Sequence, residues 1–307
     1  MANPVITVVG SSNTDLVVRV GHIPLPGETL LGGDMQRVAG GKGANQAVAA
    51  RRLGADVWFI GCLGDDNFGD AAAALLMQEG LRLDHMTRVK GIPSGIAFIA
   101  VAATGENTII VASGANAHLT SAAIEQAGEA IAAAQIVIAQ LEIPLPSVQH
   151  AFALARTAGV RTLLNPAPAQ TLSDALMGLV DVLVCNETEA EMLTGLAVTD
   201  VPNASTAAQI LRTRGPALVL ITLGGNGCIV AGESIVHIPA FVVPVVDTTA
   251  AGDAFIGALA CRLALGDAPA VAARYAAAAA ALSVGVAGAQ PSLPDGSQVA
   301  AFLMQQT

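Results

Sequence analysis

Two short stretches concentrate the residue types that can do chemistry. The first is Gly40-Gly41-Lys42-Gly43-Ala44-Asn45-Gln46. Its glycines let a ligand approach bare backbone. The run then feeds a helical pattern whose first N–H groups lack intrahelical partners, a setting that suits oxyanions and hydroxyls. It is not a P-loop, because Gly43 stands where that loop needs Ser or Thr and Gln36 stands where it needs Gly. Alone, the run reads equally well as a glycine-rich turn with a helix cap. The second stretch is Val246-Asp247-Thr248-Thr249-Ala250-Ala251-Gly252-Asp253-Ala254-Phe255. The pattern predicts a strand over Phe241–Val246, a tight turn of small residues, and a helix on the spacing of Ala258, Leu259 and Leu263. Free N–H groups at Ala251, Gly252 and Asp253 would converge on one spot and stabilise charge on a transferring phosphoryl group. Asp253, in that first turn, is placed to accept a proton from an attacking hydroxyl. The plainer alternative is that Asp253 only complements the helix dipole while Asp247 or Thr248 caps.

Such loops need a scaffold, and the chain supplies one. Strands are predicted at Val5–Val9, Val57–Gly61, Ile136–Gln140, Thr162–Leu164, Val182–Val184 and Ala217–Thr222. Helices are predicted at Ala44–Leu53, Phe68–Glu79, Ser121–Ala133, Pro146–Ala158 and Ala204–Arg214, most of them closed by a glycine. Strand–helix alternation predicts an α/β fold with a doubly wound, mostly parallel sheet flanked by helices. Two stretches break the rhythm: Leu16–Val20 with Thr29–Leu31, and Ile96–Val101 with Thr108–Val111. They read as a small antiparallel sheet, either a lid over the site or an ordinary sheet extension. The expectation is one domain over residues 1–307, with a lid formed by about 12–34 and 94–112.

Composition narrows the partners. The 307 residues carry 14 Lys+Arg against 24 Asp+Glu, a net charge of −10, with seven Phe, one Trp and one Tyr. No basic surplus or aromatic run is present to hold a polynucleotide, so no nucleic acid is expected. Hydrophobic residues make up 53% of the chain and charged ones 12%, the reverse of a disordered composition. The twenty-residue charge-free run Tyr275–Pro294 ends in Gly, Ser, Gln and Pro, so a buried helix and loop are expected rather than a membrane span. Met1-Ala2-Asn3-Pro4 lacks a basic leader, and a cytoplasmic location is expected. Cys62, Cys185, Cys228 and Cys261 form no C-x-x-C pair and read as free buried thiols, and the five histidines never pair at zinc-ligand spacing.

Taken together, GGKGANQAVAARRLGA and DTTAAGDAF resemble the two signatures of the PfkB/ribokinase family of carbohydrate kinases. Further stretches agree in order: Gly10-Ser11-Ser12-Asn13-Thr14-Asp15, Gly61-Cys62-Leu63-Gly64-Asp65-Asp66, Gln140-Leu141-Glu142, Leu164-Asn165-Pro166-Ala167-Pro168-Ala169, Asn186-Glu187-Thr188-Glu189, Thr222-Leu223-Gly224 and Gly288-Ala289-Gln290-Pro291-Ser292. The resemblance covers about residues 5 to 303. It implies an ATP-dependent sugar kinase, closest to the ribose-specific branch, phosphorylating the terminal 5-hydroxyl of D-ribose. Asp253 matches the family's catalytic base, and Ala250, Ala251 and Gly252 its anion hole. Asn13, Asp15, Gly41, Lys42, Asn45 and Glu142 match positions around the sugar, where amides and carboxylates can bridge vicinal hydroxyls. Asn186 and Glu189 match an element that organises Mg²⁺ through water. Thr222, Gly224, Gly225 and Gly227 match the loop beneath the ATP phosphates and ribose, to which Asn186 and Gly252 also contribute. Asp247, Thr249, Ser283, Val286, Gly288 and Ser292 match a monovalent-cation site, usually K⁺. Paired lids imply a homodimer.

The chain departs from the family pattern in places. Ala250 replaces the commoner glycine, and because a residue entering a helix needs no positive φ, no loss is expected. Val284-Gly285-Val286-Ala287 lacks the basic residues often found there, and Ala277 stands where a histidine near the adenine is common. Lys42 either reaches phosphate or folds along its helix. Alternatives remain: 2-deoxyribose, another pentose or hexose, or a nucleoside as substrate. Asn13 beside Asp15 favours ribose, which has a 2-hydroxyl to bond, and the scarcity of aromatics disfavours nucleosides. A non-catalytic sugar-binding protein would lack the base. A nicotinamide dehydrogenase would carry G-x-G-x-x-G after its first strand, and none is present.

Overall fold

Strand β1 (Val5–Val9) pairs in parallel with a neighbour on each side, and it is there that the direction of winding reverses. The computed structural model describes residues 3–306. From β1 the chain forms β2 (Asn13–Val20), β3 (Gln36–Gly40), α1 (Lys42–Arg52), β4 (Asp56–Gly64), α2 (Asn67–Gln78), β5 (Met86–Val89), β6 (Gly95–Ala102) and β7 (Asn107–Ala112). It continues through α3 (Ser121–Gln126), α4 (Gly128–Ala132), β8 (Ile136–Ala139), α5 (Leu145–Thr157), β9 (Arg161–Leu164), α6 (Asp174–Met177), β10 (Val182–Asn186), α7 (Glu187–Thr194) and α8 (Val201–Arg212). The last elements are β11 (Leu218–Thr222), β12 (Cys228–Ala231), β13 (Ile235–Ile238), α9 (Ala251–Ala264), α10 (Pro269–Ser283) and α11 (Gly296–Gln305).

The main sheet has the order β13-β12-β11-β10-β9-β8-β1-β4-β5. It is parallel from β11 to β5, and only β12 and β13 run antiparallel at one edge. Both faces are covered, as a parallel sheet requires. Ile6 and Val8 face the cluster built with α1, α9 and α10, whereas Val9 faces the cluster built with α3, α5 and α8. Fully buried Phe59 and Phe152 anchor the two layers, each side chain contributing on the order of 1.5–3 kcal/mol by leaving water. No helix among the described residues is long and apolar enough to cross a membrane.

The doubly wound sheet is therefore as expected, and so is a separate small sheet, with order β3-β2-β6-β7. Its hairpin-like pairs β2–β3 and β6–β7 are antiparallel, and β2 and β6 join them in parallel. Some local expectations need correction. The antiparallel partner of β2 is Gln36–Gly40, not Thr29–Leu31: Gly32 and Gly33 break the earlier stretch, Leu31 is 99% exposed, and the small sheet takes in residues up to 40. Phe241–Val246 joins no sheet, with Pro244 unable to donate and Val246 N–H bonded to Val284 O at 2.8 Å. The helix expected over Ser121–Ala133 breaks at Ala127 into α3 and α4.

Candidate active site

Where strand order reverses, the loops after β1 and β8 diverge and leave a crevice at the carboxyl edge of the sheet, the usual place for a ligand in such folds. Helix α1 starts in that crevice. Gly41 precedes it with φ +90, and Gly43 lies so close to Gly10 and Ser11 that a Cβ would collide with their backbone. Glu142, just after β8, caps the helix from outside: its Oε2 accepts the Lys42 N–H at 3.0 Å and the Ser11 hydroxyl. Among the described residues none donates to its other oxygen.

Opposite α1 runs α9. Gly257 lets the two helices touch backbone to side chain, since a Cβ there would strike Ala49 and the Gln46 carbonyl. That approach brings Asp253, in the first turn of α9, against α1. Asn45 Nδ2 donates to Asp253 Oδ2 and Gln46 Nε2 to Asp253 Oδ1, both at 2.9 Å. Burial pushes the Asp253 carboxyl above its ordinary pKa, while the Lys42 ammonium and the two amide donors pull it back. Lys42 is half-buried among acids. Desolvation opposes its charge, yet Asp253, Glu142 and Glu189 outweigh that and hold its pKa above the usual lysine value. Asp15, on β2, is pushed up to about 7 by burial and then by the charges of Glu142 and Asp253. Asn45 Oδ1 is buried with no protein partner, an acceptor that fits an incoming hydroxyl.

The turn into α9 overturns one expectation. Ala250 has φ +60 and ψ 9, the sole non-glycine residue with positive φ among those described. The left-handed turn leads into α9 at a steric cost on the order of 1–2 kcal/mol for a residue with a Cβ. The Ala251 N–H, expected to be free, donates to the Thr248 carbonyl at 3.3 Å, which leaves the Gly252 N–H as the first one without a backbone partner among the described residues. A Cβ on Gly252 would meet nothing, because it would stand in the open cleft.

Two adjoining clefts meet at this turn. One, of about 240 Å³, is lined by Lys42, Asn186, Glu189, Thr222, Ala250 and Asp253. The other, of about 450 Å³, is lined by Thr222, Gly224, Gly225, Gly227, Phe255 and Ala277, so Ala277 does sit beside the larger cleft. Thr222, Thr248 and Gly252 belong to both. Asn186 and Glu189 form a capping box on α7, with Asn186 N–H donating to Glu189 Oε2 at 2.9 Å, and burial raises the Glu189 pKa. Asp247 accepts from the Thr249 N–H (2.9 Å), the Thr249 hydroxyl (2.6 Å) and the Gly288 N–H (2.8 Å). Ser283 and Ser292 meet through their hydroxyls at 2.9 Å, and Val286 N–H bonds to Ser283 O. The residues expected around a monovalent cation thus lie on two bonded groups joined by the segment 283–292. A larger cleft of about 960 Å³ lies at the opposite, amino-terminal end of β9, β10 and β11, away from all of these residues.

The model of the pfkB family of carbohydrate kinases matches residues 4–296. The chain belongs to this family. A ribokinase of Haemophilus influenzae is 45% identical over 97% of this chain and 98% of its own length. A deoxyribokinase of Salmonella typhi is 38% identical over 83% of this chain and 84% of its own. The solved structure of Arabidopsis thaliana ribokinase complexed with ribose and ATP superposes with a TM-score of 0.90 at 34% identity, covering 99% of both chains. This PfkB chain also uses residues to which the sequence assigned no role. Gln46 and Asn165 lie inside quoted motifs, so their positions were visible but their partners were not. Ser11 and Asn116 act through contacts more than 100 residues away in the chain, for which sequence carries no signal.

Proposed function

We propose that this PfkB kinase transfers the γ-phosphate of ATP to the 5-hydroxyl of D-ribose in the cytoplasm. The observation that carries the reading is the position of Asp253: a buried carboxylate, fixed on both oxygens by amides, at the junction of the sugar crevice and the nucleotide clefts. Asp253 takes the proton of the attacking hydroxyl. The Gly252 N–H and the positive end of the α9 dipole face the phosphoryl group and stabilise the charge that develops on it. Asn13, Asp15, Gly41, Lys42, Asn45 and Glu142 hold the sugar. The cleft of Thr222, Gly224, Gly225 and Gly227 holds the nucleotide, its glycines leaving space against the phosphates.

The oxygen donors of Asn186 and Glu189 fit Mg²⁺ held through water, and the ion would neutralise phosphate charge there. Asp247 and Thr249, with Ser283, Val286, Gly288 and Ser292, fit a K⁺ site built mainly of carbonyls, since the Asp247 carboxylate already serves three donors. The lid pairs with that of a second copy.

Asp253→Asn tests the reading. Phosphorylation should fall by about 10²–10⁴-fold, the usual worth of a general base, while ribose still raises the melting temperature. Retention of more than about a tenth of kcat would remove Asp253 from this role. A second reading, 2-deoxyribose as substrate, is favoured by the Salmonella typhi relative. Comparing kcat/KM across pentoses, hexoses and nucleosides with ATP decides between them.

A further inference from the structure

Beneath the sugar crevice lies a layer of buried amides. Gln46 and Gln140 are fully buried and Asn165 is 7% exposed. Gln140 Nε2 donates to Gln46 Oε1 at 2.6 Å. Gln46 Nε2 donates to Asn165 Oδ1 at 3.2 Å and to Asp253 Oδ1 at 2.9 Å. Asn165 Nδ2 in turn donates to the Val184 carbonyl at 3.1 Å.

The direction of this chain is not arbitrary. A backbone carbonyl can only accept, so Val184 fixes which end of Asn165 is the nitrogen, and Asn165 Oδ1 must then face Gln46. If Gln46 were turned over, its carbonyl oxygen would meet two acceptors, Asn165 Oδ1 and the Asp253 carboxylate, and the Gln140 amide would meet another donor. Each buried group so left unpaired would lose its hydrogen bond without regaining water, so the three contacts hold one orientation. The relay ends at Gln140, whose Oε1 is buried without a protein partner and lies against Gly10, where a Cβ would collide with it.

We propose that Gln46 is the positioning residue of the phosphoryl-transfer reaction, holding Asp253 by its Oδ1 with a donor that Asn165 and Gln140 keep pointed at it. The inference rests on Asp253 being the general base. A neutral amide suits this role, because it neither gives up nor takes a proton near neutral pH and so orients the carboxylate without competing for the hydroxyl's proton. With Asn45 on Oδ2 and Gln46 on Oδ1, each oxygen keeps a lone pair, and rotation of the carboxylate is blocked. The charged groups facing Asp253 are Lys42 on α1, Glu142 after β8, Asp15 on β2 and Glu189 on α7. Lys42 is the lone cation of this set, and it bonds to neither Asp253 oxygen through its side chain among the described hydrogen bonds. Gln46 therefore supplies what charge alone does not, a fixed direction.

The test is the pH dependence of kcat at saturating ribose, measured for the wild type, Gln46→Met, Asn165→Ser and Asp253→Asn. Saturating sugar keeps the partners of Asp15 in place, so Asp15 does not set the acid limb. Gln46→Met keeps the volume and removes the donor. It should lower kcat at least about tenfold and move the acid limb upward by about one pH unit, because a carboxylate loses a donor to its charged form. Asn165→Ser should move the limb in the same direction by less, and ribose-induced thermal stabilisation should persist in both. An unmoved limb with kcat within about threefold of wild type would overturn the inference. If Gln46→Met does not fold, Asn165→Ser decides alone by the same criterion. Activity surviving in Asp253→Asn would instead overturn the base reading itself, so the two failures are distinguishable.

Discussion

Asn116 donates its side-chain N–H to Asn13 Oδ1 at 2.7 Å, and this bond decides which end of Asn13 remains to meet a ligand. The Asn116 orientation is unambiguous: its Oδ1 accepts from the Ser12 N–H at 3.0 Å and its Nδ2 also reaches the Ser12 carbonyl at 3.2 Å. Asn13 Oδ1 is thus consumed, and Nδ2 is left to donate. Gly95 makes the meeting possible, since a Cβ there would overlap both amides. Because Asn13 and Asp15 stand two residues apart on β2, they share one face. Asn116→Leu should lower kcat/KM for ribose about tenfold, the worth of one hydrogen bond of 1–1.5 kcal/mol, and should lower it less for 2-deoxyribose. An unchanged ratio of the two substrates would mean that Asn13 does not read the 2-hydroxyl.

Ala250 carries a strain that its neighbours impose. Substitution by glycine removes the Cβ clash of the left-handed turn, and part of that gain is lost to the greater freedom of glycine in the unfolded chain. The net effect of Ala250→Gly should be a rise of about 1–3 °C in melting temperature, for a protein of this size. A β-branched residue makes the same turn far worse, so Ala250→Val should both destabilise and displace the N–H groups at the start of α9. Calorimetry of the two variants checks the order Gly above Ala above Val, and kcat should collapse only in Val.

The Asp15 carboxyl, pushed up to about 7 by burial and by Glu142 and Asp253, should make both stability and, in the proposed role, sugar binding depend on pH. Its folded-state pKa lies above the ordinary value of 3.8, so between the two the folded protein holds a proton that the unfolded chain has lost. Ligand-free stability should therefore decline as pH rises from about 4 to about 7, then level off. Ribose hydroxyls, as donors, prefer the ionised carboxylate. The calorimetric ribose Kd should fall between pH 6 and 8 in the wild type, whereas in Asp15→Asn it should stay flat.

The main sheet was legible because apolar runs of strand length alternate with glycine-stopped helices, and β1 was placed to the residue. The rest depended on contacts that local pattern does not encode. Local pattern pairs β2 with Thr29–Leu31, yet the register of β2 with Gly40 and Gly95 requires the later segment, where small residues let Asp15 and Asn13 pack. Asn45 and Gln46 are adjacent on a helix and point about 100° apart, so that both reach one carboxylate follows only from α9 pressing on α1 at Gly257. The positive φ of Ala250 had no signal, because alanine is the residue least expected to announce it.

The small sheet, the proposed lid, carries a surface that a lone copy handles poorly. Every residue of β7 is exposed, the strand is a free edge, and Phe98 and Ile110 stand opposite each other across the β6–β7 pair at 50% and 65% exposure. A second lid would cover this apolar patch. Sedimentation at micromolar concentration should give a dimer. Ile110→Lys, which adds a charge to the patch while leaving Asp253 and its amides untouched, should give a monomer with a raised KM for ribose. A monomeric wild type would rule out pairing through the lid.

Asp247 ties the turn before α9 to the loop after α10, through Thr249 on one side and the Gly288 N–H on the other. Burial alone would raise its pKa, but the Thr249 and Gly288 donors outweigh this and hold the carboxyl below its ordinary value. With three donors already served, Asp247 would contribute to the proposed cation site chiefly as fixed negative charge, and coordination would fall to backbone carbonyls. Replacing K⁺ by a bulky organic cation should lower kcat, since the charge behind the anion hole is lost, and indifference to the cation would count against the site. Asp247→Asn keeps the Oδ1 acceptor for Thr249 but sets an amide N–H where the Gly288 N–H needs an acceptor, and it removes the charge. It should retain the fold and lose most of the K⁺ response, whereas Asp247→Ala should also loosen the α9 turn and fall further in kcat at every cation concentration.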